Sequence, residues 1–209
     1  MANRCVIVGA AKIKRYAAVK AYFRDDDFFI YCDAGLKHEE RFDRPADLII
    51  GDFDSAKNPD RSTETIVLPH EKDDTDTFFA AKEGIKRGFD EFLLVGVTGG
   101  RLDHTLGNAA ILTMLSNNDK HGVIVDDYSE IEMISDKPAY VSDKYPYFSL
   151  LNITGVCRGV RVKNALYPLD NAELKTDFPL GVSNEVIKGK TAEIKIGEGK
   201  ALLVRVREE

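Results

Sequence analysis

The 209-residue sequence predicts an α/β plus all-β fold: an open, mostly parallel α/β sheet followed by a C-terminal β-sandwich. Three observations predict it. Short uninterrupted apolar runs recur over residues 5–125, as strands covered on both faces require. Segments of helical period lie between them, which is the alternation of a parallel sheet. Beyond about residue 130 the helical period stops and short strand-like runs continue alone.

The strand candidates of the first part are Cys5–Val8, Phe28–Tyr31, Leu48–Ile50, Ile66–Leu68, Phe92–Val95 and Val123–Val125. The apolar start is too short for a signal peptide and reads as the first strand. Residues 75–88 carry an apolar stripe through Phe78, Phe79 and Ile85, and residues 103–117 do so through Leu106, Ala110 and Met114. In the second part, strands are expected over Glu130–Ser135, Tyr140–Ser142, Phe148–Ile153, Gly159–Val162, 191–196 and 201–207. The last two flank Gly197-Glu198-Gly199-Lys200, which reads as a hairpin turn. The expected domains are 1–129 and 130–209.

Composition narrows the function. Hydrophobic residues make up 44% and charged residues 31%, the balance of a folded globular chain. No run reaches the ~18–20 apolar residues of a membrane span. A net charge of −6 without a Lys/Arg cluster argues against nucleic acid as partner. Cys5, Cys32 and Cys157 are odd in number and lack CxxC spacing, which points to reduced thiols in a cytoplasmic protein.

Ligands of doubly wound sheets bind beyond the carboxyl ends of the strands, and the acidic clusters fall there. Gly51-Asp52-Phe53-Asp54-Ser55 follows the third strand. In extended chain, alternation puts Asp52 and Asp54 on one side. Two carboxylates about 7 Å apart repel by roughly 2 kcal/mol at an effective dielectric of about 20. Mg²⁺, which prefers hard oxygen ligands, would remove that repulsion. The alternative is a solvated acidic turn. Lys72-Asp73-Asp74-Thr75-Asp76 opens a helix, where acids also serve as caps. Gly99-Gly100-Arg101-Leu102-Asp103-His104 combines two glycines, an anion-gripping Arg101 and a candidate N-cap in Asp103. Asp33 follows the second strand on the same rim. Neither a GxxxxGK[ST] loop nor a GxGxxG turn is present.

Four motifs in order are Gly-Asp-Phe-Asp-Ser at 51–55, Lys-Asp-Asp-Thr-Asp at 72–76, Gly-Gly-Arg-Leu-Asp-His at 99–104 and Val-Ser-Asn-Glu at 182–185. Together they resemble the motif set of the thiamin pyrophosphokinase family. The resemblance implies transfer of the pyrophosphoryl group of ATP to the thiamin hydroxyl, with Mg²⁺ as cofactor and AMP released. It implies a homodimer with thiamin at the subunit interface. By position it implies catalytic roles for Asp52, Asp54, Asp76, Arg101 and Asp103, and metal ligation by Asp52, Asp54 and Asp76. Asp33, Asp73, Thr75 and Arg101 match the nucleotide rim, and Ser183 and Asn184 match the thiamin-binding segment. The first turn, Val8-Gly9-Ala10-Ala11, and Cys32-Asp33-Ala34-Gly35 depart from the family pattern. With no Trp in the chain, any ring stacking on thiamin falls to Tyr or Phe.

A rival reading is a haloacid-dehalogenase-type phosphohydrolase. Asp52 would be its nucleophile and Asp54 its acid–base, with Thr98 and Asp126-Asp127 at later strand ends. Asp54 is followed by Ser-Ala, where that family places Thr or Val one residue beyond.

Overall fold

The computed structural model describes residues 4–53, 62–69, 71, 73–153 and 155–207. The chain divides into two compact units, Met1–Asp127 and Tyr128–Glu209.

The first unit contains β1 (Arg4–Val8), α1 (Tyr16–Lys20), β2 (Phe28–Cys32), a 3-10 helix (Asp33–His38), α2 (Glu39–Phe42), β3 (Leu48–Gly51), β4 (Glu64–Val67), α3 (Asp76–Lys86), β5 (Glu91–Val95), α4 (Leu102–Asn117) and β6 (His121–Val125). Its strands are parallel throughout and ordered β4-β3-β2-β1-β5-β6. The apolar runs are continuous because both faces are covered. Val6, Val8, Phe29, Tyr31, Leu93 and Val95 form one core with Val19 of α1 and Phe42 of α2. On the other face, α3 packs against Cys5 and Phe92: a β-carbon at Gly84 would lie 2.6 Å from the Phe92 ring.

Strand order reverses between β1 and β5. The chain winds outward from β1 to β4 on one side, then returns to start β5 on the other. Both neighbouring connections leave from the carboxyl ends of their strands, so a crevice opens there.

The second unit is antiparallel. β7 (Ser129–Ile134), β13 (Ala201–Val206) and β9 (Tyr147–Leu151) pair in the order β7-β13-β9. β11 (Leu169–Leu174), β10 (Cys157–Lys163), β12 (Thr191–Lys195) and β8 (Ala139–Ser142) pair in the order β11-β10-β12-β8. Both sheets feed one core, with Phe148, Leu150 and Leu203 from the first and Val141, Val160, Val162 and Ile194 from the second. Alternation is regular along β12 and along β10 from Val160 onward, which is why those stretches were legible, while a bulge interrupts β10 between Cys157 and Val160.

The expected hairpin at 197–200 is corrected. β12 and β13 are not partners; they lie in different sheets. The link is held from outside: Gly197 and Glu198 donate their N–H groups to the Arg158 carbonyl, each at 3.0 Å, and Arg158 donates to the Glu198 carbonyl at 2.9 Å. Two glycines make a tight turn possible without deciding what it joins. β11 was also missed; its exposed Asp170, Asn171 and Glu173 break the apolar alternation.

Candidate active site

A cavity of about 410 Å³ lies at the reversal of strand order. Its walls come from the connection after β1, Gly9–Lys12, and the connection after β5, with Val97, Gly99, Gly100 and Arg101. Thr77 of α3 and His104 and Asn108 of α4 complete it. Lys12 and Arg101 bring positive charge to this wall in a chain whose net charge is −6. Gly99 and Gly100 have φ of 86° and 66°, two consecutive left-handed residues that glycine adopts without a β-carbon penalty.

Three strand ends on one side of the reversal supply carboxylates. Asp33 follows β2, Asp52 follows β3, and Asp76 opens α3 after β4. One oxygen from each lies within 4.8 Å of the others. Asp33 therefore joins the expected metal ligands Asp52 and Asp76, whereas the sequence reading placed it with the nucleotide. Asp54, together with Ser55, His70 and Lys72, lies outside the described residues. Three hard oxygen donors suit Mg²⁺, which also keeps positions for water and phosphate oxygens.

Arg101 and Asp103 are paired. The guanidinium Nε donates to Asp103 Oδ1 at 3.1 Å, and a second nitrogen donates to Oδ2. Both side chains are exposed. The guanidinium holds the Asp103 carboxyl down at about 2, with a smaller contribution from His104. Asp103 is not the cap of α4: the N-cap position is Arg101, with no side-chain capping bond. Thr105 closes that turn instead, accepting from the Gly99 N–H at 3.0 Å and donating to the Arg101 carbonyl at 3.2 Å.

Thr75 is the N-cap of α3, accepting from Phe78 N–H at 3.2 Å. Asp73 is exposed, and Asp74 pairs with Lys82. Thr75 Oγ1 also lies 3.2 Å from Thr77 Oγ1, which donates to Asn108 Oδ1 at 2.6 Å. Asn108 Nδ2 donates to the Val97 carbonyl at 2.7 Å. Thr75 must therefore donate to Thr77, and one directed chain runs from the start of α3 to the turn after β5. Sequence reasoning missed Asn108. Its signal was there: it sits four residues before Leu112 on the buried face of α4, a polar side chain where the helix wants an apolar one.

In the second unit Ser183 is exposed with φ of 58°, and its N–H donates to Ser149 Oγ at 3.0 Å. Asn184 is buried. Its backbone pairs both ways with Phe148 at 2.8 Å, and its side chain engages Tyr167.

The hydrolase reading fares poorly on geometry. Asp127 accepts backbone N–H bonds from Lys14, at 3.1 and 3.0 Å, and from Arg15, at 2.8 Å. That carboxylate holds the connection before α1. Asp126 accepts from Thr98 at 3.1 Å.

Comparison with known proteins agrees with the four motifs. Residues 19–124 match the family described as thiamin pyrophosphokinase, catalytic domain, and residues 134–200 match thiamin pyrophosphokinase, vitamin B1 binding domain. A curated relative, thiamine pyrophosphokinase of Bacillus subtilis (strain 168), is 26% identical over 183 residues, covering 84% of this chain and 80% of its own. The fold resembles the crystal structure of the thiamine pyrophosphokinase from Bacillus subtilis, with a TM-score of 0.87, 21% identity and coverage of 99% and 100% of the two chains. It also resembles the thiamin pyrophosphokinase from Geobacillus thermodenitrificans, with a TM-score of 0.83, 24% identity and coverage of 99% and 98%. These matches leave the hydrolase reading without support.

Proposed function

Since the chain belongs to the thiamin pyrophosphokinase family, and is thereby a transferase of pyrophosphoryl groups to thiamin, we propose that its first unit binds Mg²⁺-ATP and its second unit thiamin. The observation that carries the division is the meeting of Asp33, Asp52 and Asp76, the last of them followed directly by Thr77 in the wall of a cavity that Lys12 and Arg101 also line. Asp52, Asp76 and Asp33 would hold Mg²⁺, with Asp54 as a further ligand; the ion supplies charge neutralisation to the phosphates. Arg101 grips the transferring group with its planar fork, and Asp103 sets the direction of that fork. Thr75 fixes the start of α3 and so the place of Asp76, and Asp73 extends the acidic rim. The thiamin hydroxyl oxygen bonds to the β-phosphorus and gives up its proton to water, the bond from that phosphorus to the α–β bridging oxygen breaks, and AMP leaves with its electron pair.

The second unit, read as a β-sandwich, contributes the segment of Ser183 and Asn184 to thiamin, and the enzyme works as a homodimer with thiamin between subunits. Exposed Tyr167, Phe178 and Val182 support this reading, because apolar side chains gathered around that segment suit burial by a ligand or a second copy. Exposed Leu102 and Leu106 place apolar side chains on the outer side of α4 as well, which suits cover by a second copy. Three buried cysteines outside any disulfide suit a reducing cytoplasm.

The test is a product analysis. Incubation with Mg²⁺-ATP and thiamin should yield AMP and thiamin diphosphate one for one. ADP with thiamin monophosphate would refute the reading. Sedimentation should show a dimer, and co-refolded Asp76→Asn and Asn184→Ala subunits should recover roughly a quarter of wild-type activity by random pairing.

A further inference from the structure

His38 ends the 3-10 helix, is 2% exposed and takes no part in the chemistry above. Its Nε2 lies 2.9 Å from the Ala11 carbonyl oxygen, which can only accept, so Nε2 carries a proton. Nδ1 lies 2.5 Å from the Tyr16 hydroxyl. In the neutral ring Nδ1 accepts and Tyr16 donates. Burial holds the imidazole below its ordinary value, Lys37 and Arg41 push the same way and the Ala11 bond opposes them, so the net direction favours this neutral tautomer. Tyr16 is held in turn by the Arg41 guanidinium, 3.9 Å from the ring centre, and by the Phe42 ring at 5.2 Å.

The same short helix meets this connection at two more points. Lys37 donates its ammonium to the Ala10 carbonyl. Gly35 approaches so closely that a β-carbon there would lie 2.4 Å from the Val8 carbonyl oxygen. Residues 35, 37 and 38 thus brace the chain from Val8 to Ala11. Gly9, Ala10 and Ala11 of that chain line the cavity, and no residue of the 3-10 helix does so. Two carbonyl oxygens that would repel a phosphate are therefore turned toward the helix.

We propose that His38 is a positioning residue for the nucleotide, fixing the Gly9–Lys12 connection by its bond to Ala11. The 3-10 helix then acts as a strut with Asp33 of the carboxylate group at one end and this connection at the other. The inference rests on the reading that the cavity takes the nucleotide.

Steady-state kinetics and calorimetric titration with Mg²⁺-ATP, both on the full chain, test it. His38→Ala should raise the nucleotide KM about tenfold, the size of one lost buried hydrogen bond, with kcat and thiamin KM nearly unchanged. His38→Gln, whose side-chain amide can replace the Nε2–H donor, should restore most of the loss. Tyr16→Phe, which removes the fixing hydroxyl, should raise nucleotide KM about threefold and serves if His38→Ala does not fold. An unchanged nucleotide KM in a folded His38→Ala or in Tyr16→Phe, or a His38→Gln no better than His38→Ala, would overturn the proposal. If wild type binds no Mg²⁺-ATP by calorimetry, the nucleotide reading falls and this inference with it. Wild-type binding with unaffected variants sinks the inference alone.

Discussion

The side-chain amide of Asn184 clasps both backbone groups of Tyr167: Oδ1 accepts its N–H at 3.1 Å and Nδ2 donates to its carbonyl at 2.8 Å. Oδ1 accepts the Glu185 N–H as well, at 2.9 Å. The amide stands in for a missing strand partner, since its planar group sets a donor and an acceptor side by side as a backbone does. Asn184→Asp should lose the bond to the Tyr167 carbonyl and set a carboxylate against it. We expect a loss of about 1–3 kcal/mol, seen as a lower Tm. Asn184→Ala should behave similarly, so lost activity in either variant reports on the segment holding Tyr167 as well as on direct contact with thiamin. A Tm within error of wild type would show the clasp to be idle.

The three carboxylates predict opposite signs for activity and stability. Asp33→Asn, Asp52→Asn and Asp76→Asn should each abolish turnover while Tm without Mg²⁺ holds or rises, because one of three mutually repelling charges is gone. Added Mg²⁺ should raise the Tm of wild type by linkage and that of the variants much less. A variant with near-native kcat at ordinary Mg²⁺ removes that residue from the ion.

Arg101→Lys keeps the charge and loses the fork that Asp103 now orients. We expect kcat to fall by more than about tenfold, or ~1.4 kcal/mol. A change confined to thiamin KM would place Arg101 elsewhere.

Asn108→Leu keeps the size and severs the directed chain between Thr77 and Val97. The buried Val97 carbonyl then loses its donor and the half-buried Thr77 hydroxyl its acceptor, at about 1–3 kcal/mol. Thermal melts should show that loss, and nucleotide KM should rise because Asn108 also lines the cavity. An unaltered melt would mean that Thr77 and Val97 find other partners.

His38 gives the pH dependence. Its folded-state pKa is lowered from 6.5, chiefly by burial, so folding favours the neutral ring. The sign follows: its contribution is complete above the unfolded value and is lost as pH falls toward and through the folded one. Denaturant melts of wild type and His38→Gln should therefore run close together above pH 6.5 and separate below it, where only wild type loses stability. Parallel curves would contradict the neutral assignment.

The inner parallel strands were readable because burial on both faces writes itself as an unbroken apolar run, as in Leu48–Ile50, whereas β4, at the edge with exposed Glu64 and Val67, was read only in part as Ile66–Leu68. Arg101 and the acids at strand ends were readable because charge has little reason to follow a buried strand unless it is used. Much else depends on partners far away in sequence. Nothing local at Asp33 shows that it meets Asp76; a left-handed φ of 43° and the parallel pairing of β2, β3 and β4 arrange it. His38 looks like a surface residue beside Lys37 and Glu39, and only folding buries it against Tyr16. The glycines at 197 and 199 announced a turn, but the Arg158 backbone decided its path.

That path has a practical side. β12 is an inner strand of its sheet and β13 the middle strand of the other, so residues 197–200 tie the two layers together through their centres. Ordinary hairpin tips accept epitope insertions or new chain ends with little harm, since they join neighbours at a sheet's rim. Here a spliced-in tag would loosen a stitch that both layers share, and the engineer looking for a permissive loop should pass over this one.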